Sequence, residues 1–350
     1  MTLTAPRTEP GTTPRSRLRV AHTAKRGPAR RILITGGAGF LGVNAAFHMI
    51  ERGWQVTLLD NLSRPGTERN LKWLVTQRPA ETTFIKEDVR NAGALAEHVK
   101  SQDAILHLAG QVAVTTSLID PVTDFDVNAG GTLNLLEATR KHNPEAPFVF
   151  ASTNKVYGKL DNNNLACKES QPIDFHSPYG CSKGAADQYV RDYARCFHMN
   201  TVVLRQSCIY GPHQYGTEDQ GWVAHFVHSI LDKRPLTIYG DGTQVRDLLD
   251  ARDLCVLYEV AISNIERTRG EVYNVGGGPP NQRNLLEVID RIGELTHRKP
   301  EFTFADWREG DQTYYVSDIS KAKQHLGWEP AIPFDRGLEQ LIAWAEAARD

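Results

Sequence analysis

From Arg31 onward, short runs of apolar and β-branched residues alternate with longer segments of helical periodicity. The runs predict strands over 31–36, 55–60, 82–88, 104–109, 148–153 and 201–206. Because successive positions in these runs stay apolar, both faces of each strand are expected to be covered. The alternation of strands and helices therefore predicts an α/β fold with a doubly wound parallel sheet.

The helical pattern is clearest in five segments. They are 40–52, 127–142, 178–197, 285–296 and 334–348. The last third of the chain is less regular and predicts a smaller, mixed α/β domain that closes over the C-terminal edge of the sheet. We expect a first domain over 30–206, joined by part of 235–260, and a second mainly over 207–350, with a discontinuous border.

The composition narrows the class of protein. The chain has 350 residues and a formal net charge of −2, which gives no reason to expect a nucleic-acid or membrane-surface partner. No apolar run is long enough to span a bilayer. Five scattered cysteines without a C-x-x-C pair predict reduced thiols in a cytoplasmic protein.

The first thirty residues differ from the rest, since they are rich in Thr, Pro and Arg and contain Glu9 as their only acid. This composition predicts a disordered, basic tail over 1–29. An Arg-rich, acid-poor transit peptide is the alternative that stays open.

A glycine-rich turn follows the first predicted strand in "ITGGAGFLG". Gly36, Gly39 and Gly42 satisfy G-x-x-G-x-x-G, and the strand–turn–helix context is the one in which such glycines let a backbone approach a pyrophosphate. The helix N-terminus then offers unpaired N–H groups to the anion. The motif predicts a Rossmann-type dinucleotide site, with Phe40 and Leu41 of the same turn also in contact with the cofactor.

Asp60 ends the second predicted strand, where an acid is expected in a dinucleotide site. Its carboxylate can accept hydrogen bonds from ribose hydroxyls and repels a 2′-phosphate, which favours NAD over NADP. Arg64 lies close by and could weaken that preference. Asn61 and Ser63 complete the predicted contacts of this segment.

Two further strand ends are expected to line the cofactor. Asp88 and Val89 follow the third strand, where an acid and an amide could meet the adenine. Leu108, Ala109, Gly110 and Gln111 follow the fourth strand. Strands often end in polar residues, so these predictions depend on position alone.

Tyr179 and Lys183 stand four residues apart in a predicted helix that begins near Pro178. A nearby ammonium and the helix N-terminus both favour phenolate over phenol, so Tyr179 could act as a base near neutral pH. Thr153 is expected at the C-terminal edge of the sheet, where its hydroxyl can bond the same substrate oxygen as the phenol.

Together, the glycine turn, Asp60, Thr153, Tyr179 and Lys183 resemble the extended short-chain dehydrogenase/reductase family, from about residue 31 to the end. The family includes nucleotide-sugar epimerases, dehydratases and decarboxylases. The resemblance implies that Tyr179 is the acid/base and that Thr153 orients the reacting hydroxyl. It also implies that Lys183 holds the nicotinamide ribose and lowers the pKa of the tyrosine.

The residues after Thr153 indicate which reaction to expect. Asn154 and Lys155 stand where the sugar 4,6-dehydratases of the family carry an Asp-Glu pair, so water elimination is not expected. Cys208 stands where many 4-epimerases carry Asn. Longer strings resemble family members that invert C2 of CDP-hexoses; they are "LDNLSRPGTERNLKWL" (59–74), "STNKVYG" (152–158), "SPYGCSKGAADQYVRDYA" (177–194) and "YGTEDQGWVAHF" (215–226).

The implied function is an NAD-dependent nucleotide-sugar 2-epimerase that works through a transient 2-keto sugar. NAD is expected to be tightly held and regenerated each turnover, and no metal is required. The alternatives left open are a 4-epimerase of a UDP- or dTDP-hexose or uronate, a related decarboxylase or reductase, and a scaffold that binds NAD without turnover.

The resemblance also implies which residues bind the substrate. It implies that Arg246 and Arg308 hold the substrate diphosphate, because arginine suits bidentate phosphate contacts. Tyr239 is expected at the base or ribose. Asn154, Gln206 and Cys208 are expected to line the same pocket. Family members are often homodimers, joined through helices like those at 127–142 and 178–197.

Overall fold

The computed structural model describes residues 29–160, 165–308 and 311–349, so the predicted tail lies outside the described residues except for its last position. The strands are β1 (Arg31–Thr35), β2 (Gln55–Asp60), β3 (Thr82–Lys86), β4 (Ala104–His107), β5 (Phe148–Thr153), β6 (Thr201–Gln206), β7 (Cys208–Tyr210), β8 (Leu236–Tyr239), β9 (Val245–Asp250), β10 (Val272–Val275), β11 (Gln282–Asn284), β12 (Phe302–Ala305) and β13 (Tyr314–Tyr315). The α-helices are α1 (Phe40–Glu51), α2 (Thr67–Gln77), α3 (Ala92–Val99), α4 (Val114–Ile119), α5 (Pro121–Phe125), α6 (Gly131–His142), α7 (Ser177–Phe197), α8 (Trp222–Leu231), α9 (Ala251–Ser263), α10 (Ile265–Thr268), α11 (Leu285–Thr296), α12 (Ser320–Leu326) and α13 (Phe334–Ala347).

A seven-stranded parallel sheet in the order β3-β2-β1-β4-β5-β6-β10 forms the centre of the protein. This order confirms the predicted doubly wound sheet. Its last strand, β10, comes from residues 272–275, well after the six strands that the pattern predicted. The domain borders given above stay a prediction.

Alternate residues of each central strand enter different cores. Ile32 and Ile34 pack with α1 and α9 on one face, whereas Leu33 lies between them in sequence and packs with α6 and α7 on the other. Side chains alternate across a strand, so a sheet covered on both faces needs apolar residues at every position. This explains the continuous apolar runs in the sequence.

Among the predicted boundaries that differ from the structure, two have identifiable reasons. The strand predicted over 104–109 ends at His107, because its partner Thr35 is the last residue of β1 before the glycine turn. The helix predicted over 127–142 is divided, since Asp126–Gly130 forms a π-helical turn ahead of α6. Leu108 and Ala109, which follow β4, and Val127, in the π-helical turn, line the functional cavity described below.

The C-terminal part builds a separate small sheet and core. Strand β9 is its centre and pairs antiparallel with β11 and parallel with β7 and β13, while β8 and β12 form a parallel pair. Helices α8, α11 and α13 supply a core that includes Phe226, Ile289 and Leu338. Strand β7 follows β6 after one residue, which joins this part to the C-terminal edge of the large sheet. Within the described ranges, no helix is both long and apolar enough to cross a bilayer.

Candidate active site

One cavity of about 1110 Å³ lies where the C-terminal ends of the central strands meet the small sheet. All of the residues predicted for cofactor, catalysis and substrate line this cavity. Segments far apart in sequence therefore converge on one site, as expected at the carboxyl edge of a doubly wound sheet. Their roles are derived below from the contacts that each one makes.

The glycine turn folds tightly against the start of α1. Gly36 has a φ of 66°, in the left-handed region that favours glycine. A Cβ atom on Gly42 would collide with the carbonyl oxygen of Gly36, so only glycine allows this close approach. Gly39, Phe40 and Leu41 then present the first turn of α1 to the cavity. This is a backbone cradle that fits a diphosphate.

Asp60 ties the end of β2 to the glycine turn. Its carboxylate accepts hydrogen bonds from the backbone N–H of Ala38 (3.0 Å) and of Leu62 (2.8 Å). Burial raises the pKa of Asp60, and these backbone hydrogen bonds act in the opposite direction. Its remaining lone pairs can accept from the hydroxyls of a ribose. The side chain therefore fits the adenosine end of a dinucleotide.

The end of β3 lies beside Asp60. Asn61 donates a hydrogen bond to the Asp88 carboxylate (2.8 Å), and Arg90 donates to both of its oxygens (3.0 and 2.8 Å). The hydrogen bond from Arg90 holds the pKa of Asp88 well below its ordinary range. Asp88 is therefore a fixed anion and acceptor at the edge of the cavity, and Ser63 lies nearby on the cavity wall.

The segment after β4 forms the wall between the cofactor turn and α7. The backbone N–H of Gln111 donates to Asn128 Oδ1 (2.9 Å), and its side chain donates to the Asp124 carboxylate (3.1 Å). Asn128 in turn donates to Ser182 Oγ on α7 (3.0 Å). The wall of Leu108, Ala109, Gly110 and Gln111 is thus tied to the helix that carries the catalytic pair.

Tyr179 and Lys183 occupy successive turns of α7, and both side chains are buried. Lys183 Nζ donates to the carbonyl oxygen of Ala151 (2.7 Å) and lies 4.2 Å from the centre of the Phe150 ring. Thr153 ends β5 and lines the same cavity, and its side chain acts on the pKa of the Tyr179 phenol. The three predicted catalytic side chains therefore converge at one point of the cavity.

The pKa values of the pair differ from the expectation. Burial raises the pKa of Tyr179 to about 12, although the hydrogen bond to Thr153 acts to lower it. Burial lowers the pKa of Lys183 to about 7, against the attraction of Asp187 and Asp124. The expected acidification of Tyr179 is therefore wrong for the protein chain alone, because desolvation of both groups outweighs the i,i+4 spacing. A base at neutral pH requires a further positive charge in the cavity.

Arg246 and Lys155 share one carboxylate on the substrate side. Asp311 Oδ1 accepts from Arg246 (2.8 Å) and from Lys155 (3.4 Å). Burial acts to raise the pKa of Asp311, but the charges of Arg246 and Lys155 outweigh it and hold the pKa below its ordinary value. Asp311 therefore stays ionised and is unsuited to donate a proton.

Arg308 is paired in a similar way. Its guanidinium stacks 3.8 Å from the centre of the Tyr239 ring and donates to the Glu218 carboxylate (3.0 Å). The Tyr239 hydroxyl donates to the same carboxylate. Both arginines predicted to bind phosphate thus carry a carboxylate partner from a loop. Sequence reasoning did not identify Glu218 and Asp311 as partners of the arginines, although Glu218 lies inside the quoted string 215–226 and Asp311 lies three residues after Arg308.

The other predicted substrate residues line the cavity and are held by neighbours. Gln206 donates to the Tyr258 hydroxyl (2.8 Å), Asn154 donates to Gln312 (3.3 Å), and the Cys208 sulfur accepts from the indole N–H of Trp222 (3.5 Å). Further lining residues had no predicted role: Val112, Val114, Thr116, Gln214, Tyr215, His225, Phe226, Gln244 and Leu285. Across the described ranges no group of three or more His, Cys, Asp or Glu could hold a metal ion, and the metal-free reaction stays a prediction.

Comparison with known proteins places this site in a family. The sequence profile described as GDP-mannose 4,6 dehydratase matches residues 33–341. The chain belongs to this family of extended short-chain dehydrogenase/reductases. The family assignment agrees with the strand order and with the Thr–Tyr–Lys constellation described above.

Three relatives illustrate its range. CDP-paratose 2-epimerase from Salmonella typhi is 41% identical over 338 residues, covering 91% of this chain and 99% of that protein. A putative UDP-glucose 4-epimerase from Methanocaldococcus jannaschii is 32% identical and covers 89% and 97%. The structure of UDP-glucuronic acid 4-epimerase from Bacillus cereus, in complex with UDP-glucuronic acid and NAD, matches with a TM-score of 0.83, 29% identity and coverage of 91% and 99%.

Proposed function

We propose that the protein is an NAD-dependent epimerase that inverts C2 of a CDP-hexose of the CDP-paratose or CDP-tyvelose type through a transient 2-keto sugar. It is an enzyme of a nucleotide-sugar-modifying family, and NAD is its cofactor. The observation that carries the proposal is the convergence of Thr153, Tyr179 and Lys183 in a cavity whose neighbouring Asp311 is held ionised. The greater identity to a 2-epimerase supports the choice of C2.

The chain's own residues supply binding and proton transfer. The glycine turn would hold the diphosphate of NAD, Asp60 its adenosine ribose, and Lys183 its nicotinamide ribose. Bound NAD would supply a reversible hydride acceptor, one that takes the hydride from C2 and returns it to the opposite face, together with a positive charge near the phenol. Tyr179, as phenolate, accepts the proton of the C2 hydroxyl and returns it to the keto oxygen after the sugar has presented its other face. Thr153 orients that oxygen through its hydroxyl.

The geometry argues against dehydration. A 4,6-dehydratase needs a carboxylic acid beside the Thr, and this chain has Asn154 and Lys155 there. The nearby carboxylate, Asp311, is committed to Arg246 and Lys155 and cannot readily take up a proton. An acid/base phenol with a redox cofactor is sufficient for epimerisation, whereas elimination of water also requires a proton donor for the leaving hydroxyl.

The regiochemistry is tested by incubation with CDP-, UDP-, GDP- and dTDP-hexoses in deuterated water, followed by proton NMR. Inversion at C2 of a CDP-sugar is the expected result. Inversion at C4 of a UDP- or dTDP-sugar would replace the proposal with the 4-epimerase alternative. Absence of turnover with every sugar would favour a scaffold that binds NAD.

Tyr179→Phe tests the proton transfer. The variant should lose about a hundredfold to ten-thousandfold of the C2 inversion rate, because it lacks the acid/base group. It should keep its NAD, which is measured by denaturing the purified protein and assaying the released nucleotide. The same assay on the wild type tests whether NAD is retained through purification, as we propose. Full activity of Tyr179→Phe would remove the phenol from the mechanism.

We also propose a homodimer joined through the α6 and α7 region. The adjoining helices α4 and α5 expose large apolar side chains, at Leu118, Ile119, Val122 and Phe125, of which Ile119 is 85% exposed. Light scattering combined with size-exclusion chromatography measures the mass, and a monomer at micromolar concentration would contradict this. A cytoplasmic location, predicted from the scattered cysteines, is also a proposal.

A further inference from the structure

Arg64 belongs to the segment between β2 and α2, yet it lines the main cavity together with Tyr179 and Asp219. Its charge acts on both of these residues. Within the described ranges its guanidinium makes no hydrogen bond or ion pair, and the side chain is half-buried. A half-buried arginine without a protein partner is costly, which points to a ligand that supplies the anion.

The backbone of this segment is fixed from both sides. The Thr67 hydroxyl donates to the carbonyl oxygen of Arg64 (2.7 Å). Gly66 has a φ of 90°, and a Cβ atom there would lie 2.5 Å from the Tyr215 ring, so the segment packs directly on the substrate side of the cavity. Asn70 donates to the carbonyl oxygen of His213 (3.1 Å). Arg64 is therefore held between the cofactor strand and the substrate loop.

The charges around Arg64 indicate which anion it takes. The Asp219 carboxylate lies 4.0 Å from Arg308, and its charge also acts on Arg64. A diphosphate that binds Arg308 would reach the same region. Arginine forms strong, often bidentate hydrogen bonds to phosphate, whereas among the described residues the half-exposed Asp219 makes no hydrogen bond to Arg64.

The chemistry of the sugar makes the position of Arg64 informative. C2 is bonded to C1, the carbon that carries the phosphate, whereas C4 lies across the ring. A sugar that presents C2 to Tyr179 therefore brings its phosphate close to the phenol, and a sugar that presents C4 turns it away. We infer that Arg64 binds the sugar-linked phosphate of the substrate and thereby selects C2 for oxidation. This inference rests on the proposed 2-epimerase function.

The test compares CDP with CMP, which lacks the second phosphate. Calorimetric titration of the NAD-containing protein should show that Arg64→Gln weakens CDP binding about tenfold to hundredfold, while CMP binding changes less than about threefold. Arg64→Lys should lose less, because it keeps the charge but not the fork geometry. Arg69→Gln is the matched control, since Arg69 lies five residues further on, in the first turn of α2, and does not line the main cavity.

Measuring the NAD content of each purified variant distinguishes whether Arg64 binds the phosphate of the substrate or the diphosphate of NAD. Arg64→Gln should retain the NAD content of the wild type. Loss of NAD with unchanged CDP affinity would assign Arg64 to the dinucleotide phosphate and overturn the inference.

NMR analysis of products separates this inference from the proposed function. If the wild type inverts C2 but Arg64→Gln keeps its CDP affinity within about threefold, the inference fails and the proposed function stands. If the wild type inverts only C4, the proposed function fails, and the selection of C2 by Arg64 fails with it. The expected outcome is C2 inversion by the wild type and a kcat/KM lowered about tenfold to hundredfold in Arg64→Gln.

Discussion

The two halves of the cavity handle negative charge in different ways. The cofactor half uses backbone, since the turn from Gly36 to Gly42 presents N–H groups from the start of α1. The substrate half uses side chains, and its arginines Arg246 and Arg308 each hold a loop carboxylate. Backbone N–H groups need no counter-ion, whereas a buried guanidinium does. The cofactor half is therefore ready to bind a diphosphate as it stands. In the substrate half, by contrast, a phosphate must displace the loop carboxylates from Arg246 and Arg308.

The largest expected effect comes from filling the backbone cradle. Gly42→Ala places a Cβ atom against the carbonyl oxygen of Gly36, so the turn must open and the diphosphate contacts are lost. We expect bound NAD and epimerase activity to fall by more than about a hundredfold, as read from released nucleotide and product NMR. Gly93→Ala on α3 is the control, because the added Cβ would meet its nearest atom at 3.8 Å. Retention of NAD by Gly42→Ala would show that the cradle is not the binding element.

The next effect lies at the catalytic pair, between the two halves. Lys183→Met removes a buried ammonium whose pKa is lowered from 10.5 to about 7 by burial, so the variant should abolish activity yet be about 3 to 5 kcal/mol more stable near pH 7. Below pH 7, Lys183 is protonated in both the folded and the unfolded chain, so the folded state bears the full free-energy cost of burying the ammonium. Between about pH 7 and 10.5, Lys183 is protonated only in the unfolded chain, so the free-energy cost of burying its ammonium declines as pH rises.

Urea denaturation of the wild type and Lys183→Met at several pH values, with both proteins first freed of NAD, measures this difference. The stability advantage of the variant should shrink steadily from pH 7 to pH 9. Lys72→Met, at an exposed position of α2, should show neither the gain nor the pH dependence. A variant less stable than the wild type at pH 7 would mean that packing of the lysine outweighs its charge.

On the substrate half, Asp311→Asn removes the carboxylate that Arg246 and Lys155 share. We expect the free energy of unfolding to fall by about 1–3 kcal/mol without ligand. Added CDP should stabilise the variant more than the wild type, because its diphosphate replaces the missing anion. Thermal unfolding with and without CDP measures both effects, with the exposed Asp306→Asn as control. Equal stabilisation by CDP would contradict the exchange of anions.

The smallest effect is expected at the half-exposed pair. Glu218→Gln weakens the ion pair between residue 218 and Arg308. The Glu218 carboxylate is 46% exposed, and ion pairs at such exposed positions contribute about 1 kcal/mol or less. CDP affinity should therefore rise by about twofold to fivefold in calorimetric titration. A fall in affinity would show that Glu218 positions Arg308 for phosphate rather than competing with it.

Much of the fold was predictable because its signals are local. Apolar runs of strand length predicted six of the central strands, and the glycine spacing placed the dinucleotide turn. Strand β10 was missed because it pairs with β6, from which it is separated in sequence by several elements of the C-terminal part. The start of α6 was also misplaced, since a helical pattern does not distinguish an α-turn from the π-helical turn at Asp126–Gly130.

The sequence by itself determined which chemical groups are present and how neighbours in a strand, turn or helix are spaced. Those spacings follow from helix and strand geometry, and they were enough to bring Tyr179 and Lys183 onto one face of α7. The tertiary structure alone decided their pKa values and the carboxylates that meet Arg246 and Arg308. It also directed Arg64 into the shared cavity. Desolvation and ion pairing depend on segments far apart in the chain, so these properties arise only when the segments pack together.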